Sequence, residues 1–269
     1  MARTVALAVD LGASGGRVLS GAFDGRLLEL EELHRFENAP VAFGGRLVWD
    51  LPLLWREVVA GLRKAAQRHG RAVASVGVDT WGVDFAFLGA DGDLLANPIC
   101  YRDGQTKGML AAAERIVPRS DIFAATGLQF MEINSLYQLL AMRDRGSTAL
   151  GSAARLQMIP DLVHWLLSGE ASNERTNAST TQCFDPQAGD WAFPLLERFG
   201  LPRGIFGPIA EPGTVIGGLR PEVADETGLA GVRVLLPGTH DTASAVAAVP
   251  AVEPPSSRPD WCYVSLGTW

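Results

Sequence analysis

Apolar runs punctuated by glycine set the plan of this chain. Val5 to Val9 is an unbroken apolar stretch, fit for a central strand. Val18 to Phe23 and Leu27 to Phe36 read as two further strands. Between the first two lies Asp10-Leu11-Gly12-Ala13-Ser14-Gly15-Gly16-Arg17, a glycine cluster that predicts a hairpin. Asp50 to His69 is the first clear helix: Asp50 at the N-cap, Pro52 in the first turn, Gly70 as its stop. Leu54, Val58, Leu62 and Ala65 form its apolar stripe. Ala74 to Asp79 is the next strand, with Phe85 to Leu88 running back as its partner and Ala90 to Asp93 as a hairpin turn. The expected start is therefore β-β-β-α-β-β, an α/β chain with a mixed sheet and flanking helices.

Further on, Pro98 to Asp103 lead into a helical segment through Ala113 and Arg115. Ser135 to Arg145 and Ile159 to Leu167 read as amphipathic helices, and Leu195 to Phe199 and Pro221 to Thr227 as short ones. Val232 to Leu236 is a short buried strand. Pro237-Gly238-Thr239-His240-Asp241-Thr242 follows it as a tight turn and a helix start. Ala251 to Asp260 reads as an exposed loop and Cys262 to Ser265 as a strand that meets a second glycine turn, Leu266-Gly267-Thr268-Trp269. A glycine turn straight after a buried strand is a poor place for a domain to end, which predicts a longer chain.

Composition narrows the function. The 269 residues are 47% hydrophobic, enough for a full core in one large domain or two smaller ones. The net charge of −7 argues against nucleic-acid binding, which needs a basic surface. No apolar run reaches the roughly 18 residues of a membrane helix. Cys100, Cys183 and Cys262 lie far apart with no zinc spacing, and predict reduced, buried thiols in a cytoplasmic protein. Met1 to Thr4 pass straight into a strand, with no signal-peptide pattern.

Several stretches carry candidate chemistry, each beside a plainer reading. The spacing Gly12, Gly15, Gly16 fits no dinucleotide fingerprint, and the segment lacks the lysine of a P-loop. What remains is either an ordinary hairpin or one whose backbone N–H groups and Ser14 hydroxyl face a phosphate, with Asp10 able to hold Mg²⁺ through water. Trp81 at a strand end is core filler or a stacking wall for a sugar, and Gly82 allows close approach to its backbone. Asp79 and Asp84 read as turn formers. Arg102-Asp103 is a structural ion pair or a polar sugar clamp. His34 and His69 look exposed, and His164 looks partly buried and structural. Asn173 to Gln182 is an unusually polar run, by composition a solvated loop. Asp241 either caps its helix, as Thr239 also does in the plainer reading, or acts as a general base at a strand's carboxyl end.

Taken in order, seven stretches resemble the FGGY carbohydrate kinases: Val9 to Arg17, Asp79 to Phe85, Tyr101 to Asp103, Met158 to Leu162, Thr176 to Gln182, His240 to Val246, and Gly267 to Trp269. The resemblance implies the actin-like ATPase, ribonuclease-H-like fold in two lobes. It implies that Ala13, Ser14, Gly15, Gly16 and Arg17 form a first ATP phosphate loop, that Thr268 belongs to a second, and that Asp10 helps hold Mg²⁺. It implies that Trp81, Gly82, His240, Asp241 and Thr242 line a sugar site, with Asp241 as the base. Residues 1–250 would be the sugar-binding lobe, and residues 251–269 a loop and strand leading into an ATP-binding lobe that is missing. Two hydroxyls of the family pattern are absent, with Gly15 and Leu266 where the family usually has serine.

The expected reaction is transfer of the γ-phosphate of ATP to the O1 hydroxyl of a ketose. The His240-Asp241-Thr242 form and the polar run point to L-rhamnulose, with L-fuculose as the alternative. Two other readings compete: a sugar-binding fragment without turnover, and an actin-like ATPase of structural or chaperone type. The Trp81-Gly82 and His240-Asp241 pairs count against the last.

Overall fold

A computed structural model describes residues 3–250 and 262–264. The expected loop at Ala251 to Asp260 and the second glycine turn with Thr268 lie outside the described residues.

The chain opens with β1 (Thr4–Leu11), β2 (Gly15–Phe23) and β3 (Leu28–Glu37), an antiparallel meander. A short hairpin, β4 (Pro40–Phe43) and β5 (Arg46–Trp49), precedes α1 (Leu51–His69). The order is therefore β-β-β-β-β-α-β-β, not the expected β-β-β-α-β-β. The missed hairpin turns on Gly44 and Gly45, whose φ of 57° and 78° suit the tight two-residue turn that matches strand twist. Next come β6 (Val73–Thr80) and β7 (Phe85–Leu88). β7 does not pair with β6. It pairs with β8 (Arg155–Met158), because β1 and a later strand already occupy both edges of β6.

Between β7 and β8 lie α2 (Met109–Glu114), α3 (Arg119–Thr126), α4 (Ser135–Asp144) and α5 (Thr148–Gly151). After β8 come α6 (Ile159–Ser168), β9 (Asn173–Glu174), α7 (Arg175–Ala178), β10 (Phe184–Asp185), β11 (Asp190–Trp191) and α8 (Phe193–Arg198). The described chain closes with β12 (Ile209–Ala210), β13 (Val215–Gly218), α9 (Pro221–Thr227), β14 (Arg233–Leu235) and α10 (Asp241–Ala247). Cys262 to Val264 form no strand, and Cys262 is exposed, unlike the buried Cys100 and Cys183.

The main sheet has the order β13-β14-β6-β1-β2-β3, with β14, β6 and β1 mutually parallel. One face is covered. Leu54, Val58, Leu62 and Ala65 of α1 sit in one core with Val5, Leu7, Val9 and Val18, and Ile159, Val163 and Leu167 of α6 join it beside Val76, Val78 and Val234. Each such fully buried side chain contributes about 1.5–3 kcal/mol. Asp50 caps α1 as expected, accepting from Leu53 N at 3.1 Å. Helix and sheet touch at Gly61, where an added Cβ would lie 2.3 Å from Val18 Cγ2. The opposite face is open along β1, where Thr4, Ala6 and Ala8 are exposed. A second core gathers around α4. That helix is not amphipathic as expected, since Ser135 to Met142 are all buried.

Candidate active site

Three parallel strands end in a row, and each delivers an acid. Asp10 is the last residue but one of β1 and Asp79 the last but one of β6, and β14 runs on through Pro237 to Thr239 into Asp241. Register places Asp10 opposite Asp79 across one strand pair and opposite Arg17 across the other. A parallel bridge between Thr80 and His240 carries the row on to the third strand.

The glycine cluster forms the expected hairpin, closed by Gly12 N–H on the Gly15 carbonyl at 2.8 Å. Asn38 braces it, donating its side-chain amide to the Gly12 carbonyl at 2.9 Å. Ser14 is exposed at the tip, and Ala13 is buried beneath it. Arg17 donates Nε to Asp10 Oδ2 at 3.1 Å and Nη2 to the same oxygen. Beside the hairpin is an open cleft of about 490 Å³, lined by Asp10, Gly12, Ser14, Gly15 and Arg17 with Arg35, Phe36 and Glu37. Backbone N–H groups, a hydroxyl and two guanidinium groups suit a phosphate-bearing ligand. For a divalent cation, the described residues offer no cluster of three or more acidic, histidine or cysteine ligands. A single carboxylate beside a phosphate cleft does fit Mg²⁺, which keeps its waters and leans on substrate phosphates.

At the end of β6 the structure revises several expectations. Trp81 is 1% exposed and offers no free face to a sugar. Its ring packs on Trp49 at 4.3 Å between centroids. Both indole N–H groups donate to Asp84 Oδ2, at 2.6 Å from Trp49 and 3.0 Å from Trp81. Asp84 also accepts from Tyr101 N at 3.2 Å and, through Oδ1, from Gln138 Nε2 at 3.1 Å. It is a buried anchor, not a turn former. Burial pushes its carboxyl up to about 6, against the pull of its four donors. Asp79 likewise lies within its strand. Burial, then the charges of Asp10 and Asp241, push it up to about 7.

Gly82 has a structural reason of its own: an added Cβ would sit 2.8 Å from the Thr180 side chain. Val83 next to it has φ 68°, a strained value for a β-branched residue. Three hydrogen bonds hold it there: its N–H to Thr180 Oγ1 at 2.9 Å, and its carbonyl accepting from Ser135 Oγ at 2.6 Å and Gln138 Nε2 at 3.2 Å. Asp103 pairs not with Arg102 but with Arg46 at 3.3 Å and Leu47 N at 2.7 Å, which ties down β5. Arg102 lies over the Tyr101 ring.

The third strand end is the most polar. Thr239 is fully buried, and its carbonyl accepts from Thr80 N at 2.9 Å. The N-cap of α10 is His240, neither Thr239 nor Asp241. Asp241 Oδ1 accepts from Thr242 N at 2.6 Å and Thr242 Oγ1 at 3.2 Å, and lies 3.4 Å from His240 Nε2. Burial lowers the His240 pKa, with the Asp241 charge opposing. Asp241 itself is about one-third exposed, 36% for the side chain, so it stands at the surface of the row.

The run at Asn173 to Gln182 is not a solvated loop. Asn173, Glu174, Asn177, Thr181 and Gln182 are all buried. Sequence reasoning marked this stretch but assigned Glu174 no role, since polar composition alone does not reveal burial. The histidines shift as well: His34 meets Glu57 at 2.8 Å and His69 meets Ser20 Oγ at 2.9 Å, both half-buried. His164 is wholly buried, where it accepts from Val78 N at 3.0 Å.

An α/β lobe with an antiparallel meander, parallel crossovers and a glycine hairpin at its strand ends is the architecture of the actin-like ATPase fold. Residues 5–248 match the FGGY family of carbohydrate kinases, N-terminal domain, and the chain belongs to that family. It is 42% identical over 262 residues to a rhamnulokinase of Bacteroides thetaiotaomicron, covering 97% of this chain and 53% of that protein. It is 38% identical to a rhamnulokinase of Oceanobacillus iheyensis over 263 residues, covering 98% and 54%. The chain thus spans about half the length of the curated relatives it matches. Among solved structures, gluconate kinase from Lactobacillus acidophilus superposes with a TM-score of 0.78 at 18% identity, over 87% of this chain and 48% of that one. A carbohydrate kinase from Novosphingobium aromaticivorans gives 0.77 at 26% identity, over 92% and 51%.

Proposed function

We propose that this chain is the sugar-binding half of a kinase that phosphorylates L-rhamnulose at O1 with MgATP, giving L-rhamnulose 1-phosphate and ADP. One observation carries the reading: the phosphate-ready hairpin, Asp79 and the His240-Asp241 seam stand at neighbouring strand ends of one sheet. Relatives that bear the rhamnulokinase name supply the choice of sugar.

In this reading Asp241 accepts the O1 proton. Its Oδ1 is tied to Thr242, which leaves Oδ2 for the sugar hydroxyl. His240 and Thr242 would flank the same hydroxyl, and Gly82 would line the sugar site, with Trp81 buried behind it. A carboxylate is a weak base toward an alcohol, so proton transfer comes late, as the new P–O bond acidifies the hydroxyl. Ala13 to Arg17 would hold the phosphates, and Asp10 would hold Mg²⁺, which would supply charge neutralisation. Residues 1–250 form the sugar-binding lobe, and 251–269, with Thr268 in the second phosphate loop, lead toward the ATP-binding lobe. The buried thiols and the family's soluble chemistry support a cytoplasmic site of action. Among the described residues no helix is long and apolar enough to cross a membrane.

Calorimetric titration of L-rhamnulose into the chain, with L-fuculose and D-xylulose alongside, tests the substrate. Selective binding of L-rhamnulose is expected. Equal or stronger binding of L-fuculose moves the assignment to that sugar, and binding of none by the folded chain removes the sugar-site reading. A second reading, a sugar-binding piece without turnover of its own, is favoured by α10, which has no buried residue. ADP release by the chain alone excludes it.

A further inference from the structure

We propose that Glu174 is the positioning residue of this site: a buried carboxylate that pins the Thr239-His240 seam to α7 and so sets where Asp241 stands. The inference rests on the sugar-kinase reading for its consequence, and on geometry for its mechanism.

Glu174 is fully buried and its carboxylate is ringed by donors from two separate segments. From its own segment, Thr176 N reaches Oε1 at 2.9 Å, Thr176 Oγ1 reaches Oε2 at 2.6 Å, and Asn177 N reaches Oε2 at 3.3 Å. From the seam, Thr239 donates both N–H and hydroxyl to Oε2, at 3.0 and 2.6 Å. A relay extends the grip by one residue. The His240 N–H donates to Thr176 Oγ1 at 3.1 Å, and that hydroxyl passes its own proton to Glu174. The amides of Thr239 and His240, the two residues before Asp241, are thus both fixed by one carboxylate. Asn177 adds a longer bond from its side-chain amide to the Thr239 carbonyl at 3.4 Å.

Glu174 is held in turn. Its own N–H donates to Asp161 Oδ1 at 3.0 Å, in the first turn of α6. Burial, with the Glu174 charge adding to it, holds the Asp161 carboxyl well above the usual range. A buried charge with five donor contacts costs more than a surface loop requires. Neither Glu174 nor Thr239 reaches the open cleft lined by Asp10 and Arg17, so the cluster acts through the backbone it holds.

Amide hydrogen exchange on the 269-residue chain tests this without substrate. In Glu174→Gln, the Thr239 and His240 amides should lose protection by about 30- to 100-fold, as expected for charge-assisted bonds. The β1–β2 ladder should stay within about threefold of wild type. Thr176→Val separates the relay: it should expose the His240 amide and leave that of Thr239 protected. Thr239→Ser, which keeps the hydroxyl, should retain protection at both. Unchanged exchange at Thr239 and His240 overturns the proposal, and so does a uniform loss that includes the ladder, the mark of a merely structural residue. Should Glu174→Gln fail to fold, Thr176→Val and Thr239→Ser decide by the same criteria. A parallel titration with L-rhamnulose should show at least about tenfold weaker binding in Glu174→Gln. Unaltered affinity beside a loosened seam overturns the positioning role. Absence of ketose binding in the wild type counts against the kinase reading and leaves the exchange result to judge Glu174.

Discussion

Replacing Asp84 with asparagine sets two forces against each other that the structure places on one side chain. Burial disfavours the carboxylate, and four donors favour it: two indole N–H groups, one backbone amide and the Gln138 amide. Burial wins, since the carboxyl is pushed from its ordinary 3.8 up to about 6. The sign follows from proton binding. Between those two values the folded chain holds a proton that the unfolded chain has released. Stability from this group is therefore fully present below pH 3.8 and is lost as pH rises through about 6. At about 1.4 kcal/mol per tenfold change in proton affinity, the loss is about 3 kcal/mol. Asparagine mimics the protonated acid and does not titrate. Asp84→Asn should match the wild type at pH 4 to within about 1 kcal/mol and exceed it by about 3 kcal/mol at pH 7. Urea denaturation followed by tryptophan emission suits the measurement, because Trp49 and Trp81 both touch the group. Comparing the two chains at each pH cancels the other titrating residues. A variant less stable than wild type at pH 7 would refute the reasoning, because the donors would then outweigh burial.

Other outcomes follow from the same geometry. His164 is held down to about 3 by burial, so it contributes stability above pH 6.5 that is lost as pH falls toward 3. His164→Gln should remove about 3 kcal/mol of acid sensitivity between pH 7 and pH 4, read from urea midpoints at pH 7, 5 and 4. Gly82→Ala drives a methyl to 2.8 Å from Thr180 and should cost about 1–3 kcal/mol, seen as a Tm several degrees lower. In a form with measurable turnover, Asp241→Asn should lower kcat by about two to four decades while leaving sugar affinity within about threefold. Near-normal turnover in a coupled ADP assay would remove Asp241 as the base.

Much of the sheet was legible because its signals are local. The run at Val5 to Val9, the glycine hairpin and the capped helix from Asp50 each carry their reason within a few residues. The β4–β5 hairpin was missed: Gly44-Gly45 marks its turn, but its short strands have little alternation to announce them. Pairing was harder. That β7 joins β8 depends on both edges of β6 being occupied, one of them by a strand more than 150 residues away. Burial of polar groups was hardest. Asp84 and Glu174 read as turn and loop residues because composition scores a side chain by its own polarity, while the structure supplies their donors from distant segments.

Those two misread carboxylates cross-link the strand ends. Asp84 anchors Trp49, Trp81 and the Tyr101 amide beneath β6, while Glu174 ties the end of β14 to α7. Val83 at φ 68° lies between them, and its strain persists because Ser135, Gln138 and Thr180 all hold it. Asp10 and its hairpin share a hydrogen-bonded register with Asp79 on the same sheet. The phosphate hairpin and the proposed base are therefore joined through paired strands of one sheet. In the proposed reading, reach toward O1 comes from how the sugar sits against this seam. The same reading places sugar selectivity in the seam from Thr239 to Thr242. A change there should alter which ketose binds before it alters how tightly the hairpin holds phosphate.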